Sequence, residues 1–241
     1  MKNYTLFLLI LSAFIYSCEN EETPKSENPS IVASGELTGK IEDFESGDID
    51  SIQVYDHSDS VIGSCNVDPS GEFSIRLTIP NSNPALLIDS YVLNVFSGNV
   101  SNLSASFSYA YLLCYKGGNK IGRLGKCNYP VSQTSNNVGL RFDGYNKNAI
   151  FGKKGSAYSD IVYFSDSVTI KGNGFNDSYN QIVPGIYVEK MIVGYDLFFK
   201  KGWNEVVVKY TDYSTSTSAY TFKVTVSNMI TNDLKWRFFR Q

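Results

Sequence analysis

A period-two alternation of apolar and polar residues is the feature that most constrains the fold of this 241-residue chain. In EFSIRLTI, the side chains of Phe73, Ile75, Leu77 and Ile79 share one face and polar side chains share the other, as in a half-buried β-strand. No stretch offers a convincing helix of about ten residues or more. The sequence therefore predicts an all-β protein.

Two hairpins are predicted in the first half of the chain. DPSG (68–71) places Asp, Pro and Gly where a type I turn favours them, and would pair VIGSCNV (61–67) with the strand that follows the turn. Gly117-Gly118 lies at the centre of the second hairpin, which sets Cys114 opposite about Ile121.

The second half of the chain repeats the β pattern. A hairpin is predicted at Lys201-Gly202, with Val206, Val208 and Tyr210 on one face of its second arm. GNGFND (172–177) lacks the lysine and the helix N-terminus of a phosphate-binding loop, so a β-turn is predicted there.

The cysteines bear on cross-linking and metal chemistry. Apart from Cys18, the chain has Cys65, Cys114 and Cys127, an odd number, so at least one thiol stays free unless it pairs between chains. We interpret these three as small buried side chains. No CxxC pair is present and the chain has one histidine, so neither a redox motif nor a zinc site is predicted.

Catalytic motifs are scarce. The single histidine, His57, lies in YDHSDS, a predicted exposed turn, and no GxSxG nucleophile elbow accompanies it. No acidic loop has the DxDxDG spacing of a calcium site. A glycosidase needs only two carboxylates roughly 5–10 Å apart, and acids are too common here to exclude that class. We therefore predict a non-catalytic protein without metal or cofactor, with a carboxylate-dependent glycan hydrolase as the alternative.

The N-terminus is organised as an export signal. Lys2 precedes the apolar segment LFLLILSAFI (6–15), whose length fits the roughly 7–15 residues of a secretory signal and falls short of the roughly 18 that span a bilayer. Ser17 before Cys18 resembles the lipobox of bacterial lipoproteins, in which the cysteine is acylated. This resemblance implies a signal peptide over residues 1–17 and attachment to a membrane through lipid on Cys18.

The residues after that cysteine bear on localisation. Glu19, Glu21 and Glu22 resemble the lipoprotein export signal of Bacteroidota, which directs lipoproteins to the outer face of the outer membrane. This implies a lipid-anchored body facing the exterior, with a periplasmic orientation left open. Residues 18–30 are polar, contain two prolines and are predicted to form a disordered linker.

Three motifs resemble the carboxypeptidase regulatory-like, or transthyretin-like, β-sandwich. They are the opening SGELTG, the strand VYD and the hairpin VDPSGEFSI, all within residues 33–77. This resemblance implies a non-catalytic β-sandwich, predicted over residues 31–128. The hairpin YAYLLCYKGGNKIGRLG (109–125) and the KKGWN turn are similar to segments of uncharacterised Bacteroidota lipoproteins.

A domain boundary is predicted in the Ser- and Asn-rich stretch 128–137, whose strand propensity is low. A second small β-sandwich domain would then occupy residues 129–241, in tandem with the first. A single continuous sandwich is the alternative.

Charge and aromatic content bear on partners. The chain has 21 Lys+Arg against 24 Asp+Glu with no basic cluster, so nucleic acid is not a predicted partner. Aromatic residues form 14 % of the chain, and exposed aromatic rings can stack on sugars. Trp203, in a turn, is the candidate for ligand stacking, with core capping as the alternative, whereas Trp236 alternates with charged neighbours and is predicted to be core.

Ser51, Ser60 and Ser167 each lie in an Asp-Ser-aliphatic triplet that resembles the O-glycosylation site of secreted Bacteroidota proteins. Together, these features predict a lipid-anchored binding, adhesion or envelope-assembly module. Its candidate partners are the membrane, through the N-terminal lipid, and a glycan or an envelope protein.

Overall fold

The computed structural model describes residues 35–82, 98–128, 155–183, 186–215, 219–227 and 233–240. These ranges contain β-strands and no helix, which confirms the all-β prediction, and none of them provides an apolar helix of membrane-spanning length. The strands are β1 (Glu36–Lys40), β2 (Ser51–Tyr55), β3 (Val61–Asn66), β4 (Glu72–Arg76), β5 (Gly98–Val100), β6 (Phe107–Lys116), β7 (Asn119–Cys127), β8 (Ala157–Phe164), β9 (Val168–Val183), β10 (Ile186–Phe199), β11 (Gly202–Thr215), β12 (Ala219–Ser227) and β13 (Lys235–Arg240).

The strands form two open sheets, an arrangement consistent with a β-sandwich. The larger sheet has the order β3-β2-β6-β7-β8-β11-β12-β10-β9-β5, and β13 pairs with β7 beside this path. The smaller sheet contains β1 and β4. One parallel bridge, between Ile41 and Trp236, links the end of β1 to β13.

Strand β8 lies between the diverging arms of the β6–β7 hairpin. Near the hairpin tip β6 pairs with β7, but farther along Ala110 of β6 lies opposite Ile161 of β8. On the other side of the divergence, Lys126 of β7 lies opposite Ser159 of β8. Strands from the predicted domains 31–128 and 129–241 therefore share one sheet, and the two-domain division is not confirmed.

Two apolar cores lie on opposite faces of β8. Ile161 and Tyr163 belong to the first core, together with side chains from β1 to β4, and Val162 and Phe164 belong to the second core, together with side chains from β9 to β12. Because side chains alternate along a strand, β8 is buried on both faces. This double burial explains why AYSDIVYF lacks the polar alternation of β4.

The turn predicted at DPSG forms, but its two strands do not pair with each other. The amide of Gly71 donates to the carbonyl of Asp68 at 3.0 Å, which closes the turn. Strand β3 pairs with β2 and β4 pairs with β1, so the predicted hairpin is wrong and the turn connects two sheets. Phe73, Ile75 and Leu77 are buried as predicted. Ile79 is 79 % exposed because β4 ends before it.

The hairpin predicted at Gly117-Gly118 is confirmed. Both glycines have positive φ, 58° and 77°, as a type I′ turn requires, and Cys114 lies opposite Gly122. Within the described residues, Cys65, Cys114 and Cys127 form no disulfide bond, and the last two are buried. Burial raises the pKa of the Cys65 and Cys114 thiols, so both stay protonated at neutral pH.

Two predictions about the second half are wrong. Strands β10 and β11 are connected by a tight turn before Gly202, but β11 pairs with β8 and β12, while β10 pairs with β9 and β12. GNGFND lies within β9 rather than in a turn, because Gly172 and Gly174 pair with Tyr195 and Val193 of β10. Val206, Val208 and Tyr210 do share the second core as predicted.

Candidate functional site

Several sequence-predicted residues lie outside the described ranges. They are the signal peptide over residues 1–17, Cys18, and Glu19, Glu21 and Glu22. The lipid anchor and the export signal therefore remain predictions.

Trp203, the sequence candidate for ligand stacking, lies in the first core. Its side chain is 3 % exposed, and its ring meets that of Tyr163 edge to face, with the ring centroids 5.3 Å apart. Trp203 lies opposite Tyr163 in the β8–β11 register, which points both rings into the same core. Trp203 is therefore a core residue, as in the alternative interpretation of the sequence. Its ring is not available for stacking on a ligand.

The three candidate O-glycosylation serines differ in accessibility. Ser167 is exposed in the turn before β9. Ser60 is half-buried, and its hydroxyl lies 3.1 Å from the side-chain amide of Asn81. Ser51 is half-buried within β2, opposite Tyr115. Modification of these serines remains a prediction, and Ser167 offers the most open hydroxyl.

His57 contacts a serine, but that serine is inaccessible. The His57 Nδ1 atom lies 2.9 Å from the hydroxyl of Ser108, which is the contact that a nucleophilic mechanism would need. Ser108 is 0 % exposed, so its hydroxyl cannot reach a substrate. The contact therefore ties the β2–β3 turn to β6.

Asp56 holds the same turn together. Its Oδ1 accepts hydrogen bonds from the Ser58 amide, the Ser58 hydroxyl and the Ser60 amide, and its Oδ2 accepts one from the Asn81 amide. Desolvation by burial would raise the pKa of Asp56, but these hydrogen bonds outweigh it and hold the pKa below its usual value. The carboxylate therefore stays charged and acts as a structural acceptor.

Three half-buried tyrosines lie together on strands β2 and β6. We call Tyr55, Tyr111 and Tyr115 the tyrosine face. Tyr55 lies opposite Tyr111 in the strand register, and their rings stack with centroids 5.6 Å apart and planes 15° apart. Directly opposite residues of an antiparallel pair point to the same side of the sheet. The pairing of β2 with β6 therefore gathers these rings on the side opposite the first core.

Hydrogen bonds fix the hydroxyls of the tyrosine face. Tyr55 donates to Gln53 Oε1 at 2.6 Å, so the 2.8 Å contact between the Tyr55 and Tyr115 hydroxyls has Tyr115 as its donor. This hydrogen bond to Tyr55, together with desolvation, raises the pKa of Tyr115 to about 12. Tyr111 donates to Asp59. The face therefore places oriented hydroxyl oxygens and acceptor groups beside aromatic carbon.

Part of this arrangement can be predicted from the sequence. SIQVY places Gln53 and Tyr55 on the face opposite Ile52 and Val54, which are fully buried. Alternation in β6 likewise separates Tyr111 and Tyr115 from the buried Leu112 and Cys114. The pairing of β2 with β6, which makes Tyr55 a neighbour of Tyr111 and Tyr115, cannot be predicted from this alternation.

A pocket of about 580 Å³ lies where the end of β1 meets β13. Its lining includes the buried or half-buried apolar residues Ile41, Phe44 and Trp236, which we call its floor, and the exposed residues Lys40, Glu42 and Lys235, which we count as its rim. We call it the Trp236 pocket. Trp236 is 8 % exposed and is a core residue, as predicted. It also forms part of the pocket lining.

A buried ion pair supports the floor of this pocket. Lys126 Nζ lies 3.1 Å from both carboxylate oxygens of Glu205 and donates to Oε2, which leaves Oε1 without a hydrogen bond. The same ammonium lies 5.9 Å from the ring centroid of Trp236. Glu205 is almost fully buried, so this charge pair is part of the interior.

Comparison with models of known protein families, with curated proteins and with solved structures finds no match. Within the part of the chain that the structure describes, no three His, Cys, Asp or Glu side chains gather closely enough to hold a metal ion. Within the described residues, the tyrosine face and the Trp236 pocket are two places whose geometry suits a ligand.

Proposed function

We propose that this protein is a non-catalytic glycan-binding module, anchored through lipid on Cys18 to the outer membrane and facing the exterior. The observation that carries the proposal is the tyrosine face. Sugar rings present C–H faces to aromatic carbon and hydroxyls to polar groups, and a half-exposed tyrosine supplies both kinds of surface. Tyr55 and Tyr115 place their hydroxyls beside an amide oxygen, so aromatic and hydrogen-bonding surface lie side by side.

Binding is favoured over catalysis by the environment of the candidate catalytic groups. His57 contacts the hydroxyl of Ser108, but Ser108 is fully buried, so no substrate can reach that hydroxyl. Two acids, Glu42 and Asp43, line the Trp236 pocket, but Asp43 is paired with Arg237 at 3.1 Å. A hydrolase needs one carboxyl that donates a proton and a second that attacks or activates water. An ion-paired, solvated aspartate is poorly suited to the role of the acid.

Affinity electrophoresis tests the proposal. The purified protein runs through native gels that contain one polysaccharide each, from a panel of neutral and acidic polymers, and at least one polymer is expected to retard it. Tyr115→Ala is expected to weaken that retardation, by roughly 2- to 12-fold in affinity, and to stay folded, because the Tyr115 side chain is partly exposed. Phe198→Ala is the matched control, since Phe198 is an exposed aromatic on the distant strand β10.

Two outcomes contradict the proposal. If no polysaccharide retards the protein, or if Tyr115→Ala and Phe198→Ala are retarded as strongly as the wild type, the tyrosine face does not bind glycans. If reducing ends appear when the protein is incubated with the panel, and a single Asp or Glu substitution abolishes their release, the hydrolase alternative replaces the binding proposal.

A further inference from the structure

Two lysines lie side by side at the Trp236 pocket, and neither forms an ion pair with an acid in the part of the chain that the structure describes. The parallel bridge between Ile41 and Trp236 places the preceding residues of the two strands, Lys40 and Lys235, next to each other. Both are exposed and both line the pocket. Like charges on neighbouring strands repel each other, so an anion held between the two ammonium groups would relieve that repulsion.

Among the described residues, no acid lies within ion-pair distance of these lysines. Glu72 lies opposite Lys40 in the β1–β4 register, and Glu42 lies on the pocket rim, but the ion pairs of the described residues include neither lysine. Asp43, the other acid of the rim, is paired with Arg237. Lys40 and Lys235 are therefore two adjacent ammonium groups of the rim that no carboxylate of the described residues holds in an ion pair.

The rest of the pocket determines what kind of anion fits. Its volume of about 580 Å³ lies within the roughly 300–1,000 Å³ of small-molecule sites, and its floor of Ile41, Phe44 and Trp236 is apolar. Ser70 and Glu42 line the same space, and since the Ser70 hydroxyl donates to Asp68 Oδ1 at 2.7 Å, both residues offer acceptor oxygens to the hydroxyls of a ligand. The site thus combines an apolar floor, groups for hydroxyls and two adjacent ammonium groups.

We propose that the Trp236 pocket binds an acidic sugar, with the carboxylate of a uronic acid residue held between Lys40 and Lys235. The sugar ring lies on the apolar floor, and its hydroxyls face Ser70 and Glu42. This site is separate from the tyrosine face and does not depend on glycan binding there.

Calorimetric titration of the full chain with an oligogalacturonate and with its methyl ester tests this inference. The two probes share their rings and linkages, but only the first carries carboxylates. The acidic oligomer is expected to bind at least tenfold more tightly than the ester, and added salt is expected to weaken that binding because the contact is between charges.

Substitutions assign the binding to the pocket. The double variant Lys40→Met, Lys235→Met keeps the apolar stems and removes both charges, and is expected to weaken binding of the acidic oligomer at least tenfold. Lys201→Met is the matched control, because it removes an exposed lysine outside the pocket. If the double variant has a lowered melting temperature, the single variant Lys235→Met is used in its place. It is expected to bind the acidic oligomer severalfold more weakly than the wild type.

Equal binding of the acid and the ester, binding of neither, or unchanged binding by the lysine variants would overturn the inference. Tyr115→Ala distinguishes it from the proposed function, because that variant is expected to be retarded less by the polysaccharide and to keep the affinity for the acidic oligomer.

Discussion

The indole ring of Trp236 lies directly over Gly39. A Cβ atom at residue 39 would overlap the indole Cδ1 and Nε1 atoms, so only a glycine leaves room for the ring. The edge of the same indole meets the ring of Phe73, with centroids 5.4 Å apart and planes 78° apart. This contact packs β1 and β4 against β13 beside the single bridge that joins the two sheets.

Gly39→Ala is expected to lower the free energy of unfolding by about 1–3 kcal/mol, because the added methyl group overpacks the site. Urea denaturation of the wild type and the variant measures the loss. The same substitution in a Trp236→Leu background is the control, since the smaller side chain leaves room for the methyl group. An equal loss in both backgrounds would show that the indole is not what excludes a side chain at residue 39.

Trp203→Ala is expected to reduce the free energy of unfolding by about 3–5 kcal/mol, because it leaves a cavity beside Tyr163 in the first core. Chemical denaturation checks the size of this loss. A variant that is as stable as the wild type would contradict the buried position of Trp203 and restore this residue as a candidate for ligand stacking.

Asp56 makes stability depend on pH. Since the folded-state pKa of Asp56 is lowered, its contribution is complete above the unfolded-state value of about 3.9 and is lost as the pH falls through the folded-state pKa. In Asp56→Asn, an amide donor replaces Oδ2 and faces the donor amide of Asn81. At pH 7 this variant is expected to be less stable by about 1–3 kcal/mol.

Denaturation at pH 7 and at pH 3 separates this effect from a general loss of structure. The difference in stability between the wild type and Asp56→Asn is expected to narrow at pH 3, because this pH lies below the unfolded-state pKa of about 3.9 and the unfolded chain binds a proton that the folded carboxylate resists. A difference that stays constant or widens on acidification would show that Asp56 is not the group that titrates.

The ion pair of Lys126 and Glu205 is expected to be costly to break from one side. Lys126→Met leaves the buried carboxylate of Glu205 without its partner, which costs about 3–5 kcal/mol. Adding Glu205→Gln removes the buried charge and is expected to restore part of that loss. Urea denaturation of both single variants and the double variant measures the coupling, and strictly additive losses would contradict a direct interaction.

The local structure of this protein can be predicted from its sequence far better than the pairing of strands that are distant in the chain. Alternation in β4 identifies Phe73 and Ile75 as buried, and Gly117-Gly118 identifies the β6–β7 hairpin, because both signals arise between close neighbours. The partners of β3 and β4 cannot be derived this way. DPSG specifies a turn, whereas the contacts of β4 with β1 depend on side chains far apart in the chain.

The candidate sites follow the same rule. Alternation predicts that Tyr55 and Tyr115 point away from the residues buried beside them, but not that their hydroxyls meet. Trp203 follows a glycine in what the sequence presents as a turn, and only the pairing of β11 with β8 turns its ring into the core. Lys40 and Lys235 become neighbours through the bridge between β1 and β13.

The most direct test of the central claim is the affinity of the Tyr55→Ala, Tyr115→Ala double variant for the polysaccharide that most retards the wild type. Aromatic contacts contribute about 0.5–1.5 kcal/mol each beyond area burial, so loss of two rings predicts a dissociation constant roughly 5- to 150-fold weaker by calorimetry. Phe198→Ala, measured alongside, is expected to bind as the wild type does. A folded double variant that binds as tightly as the wild type would contradict the claim that the tyrosine face binds glycans.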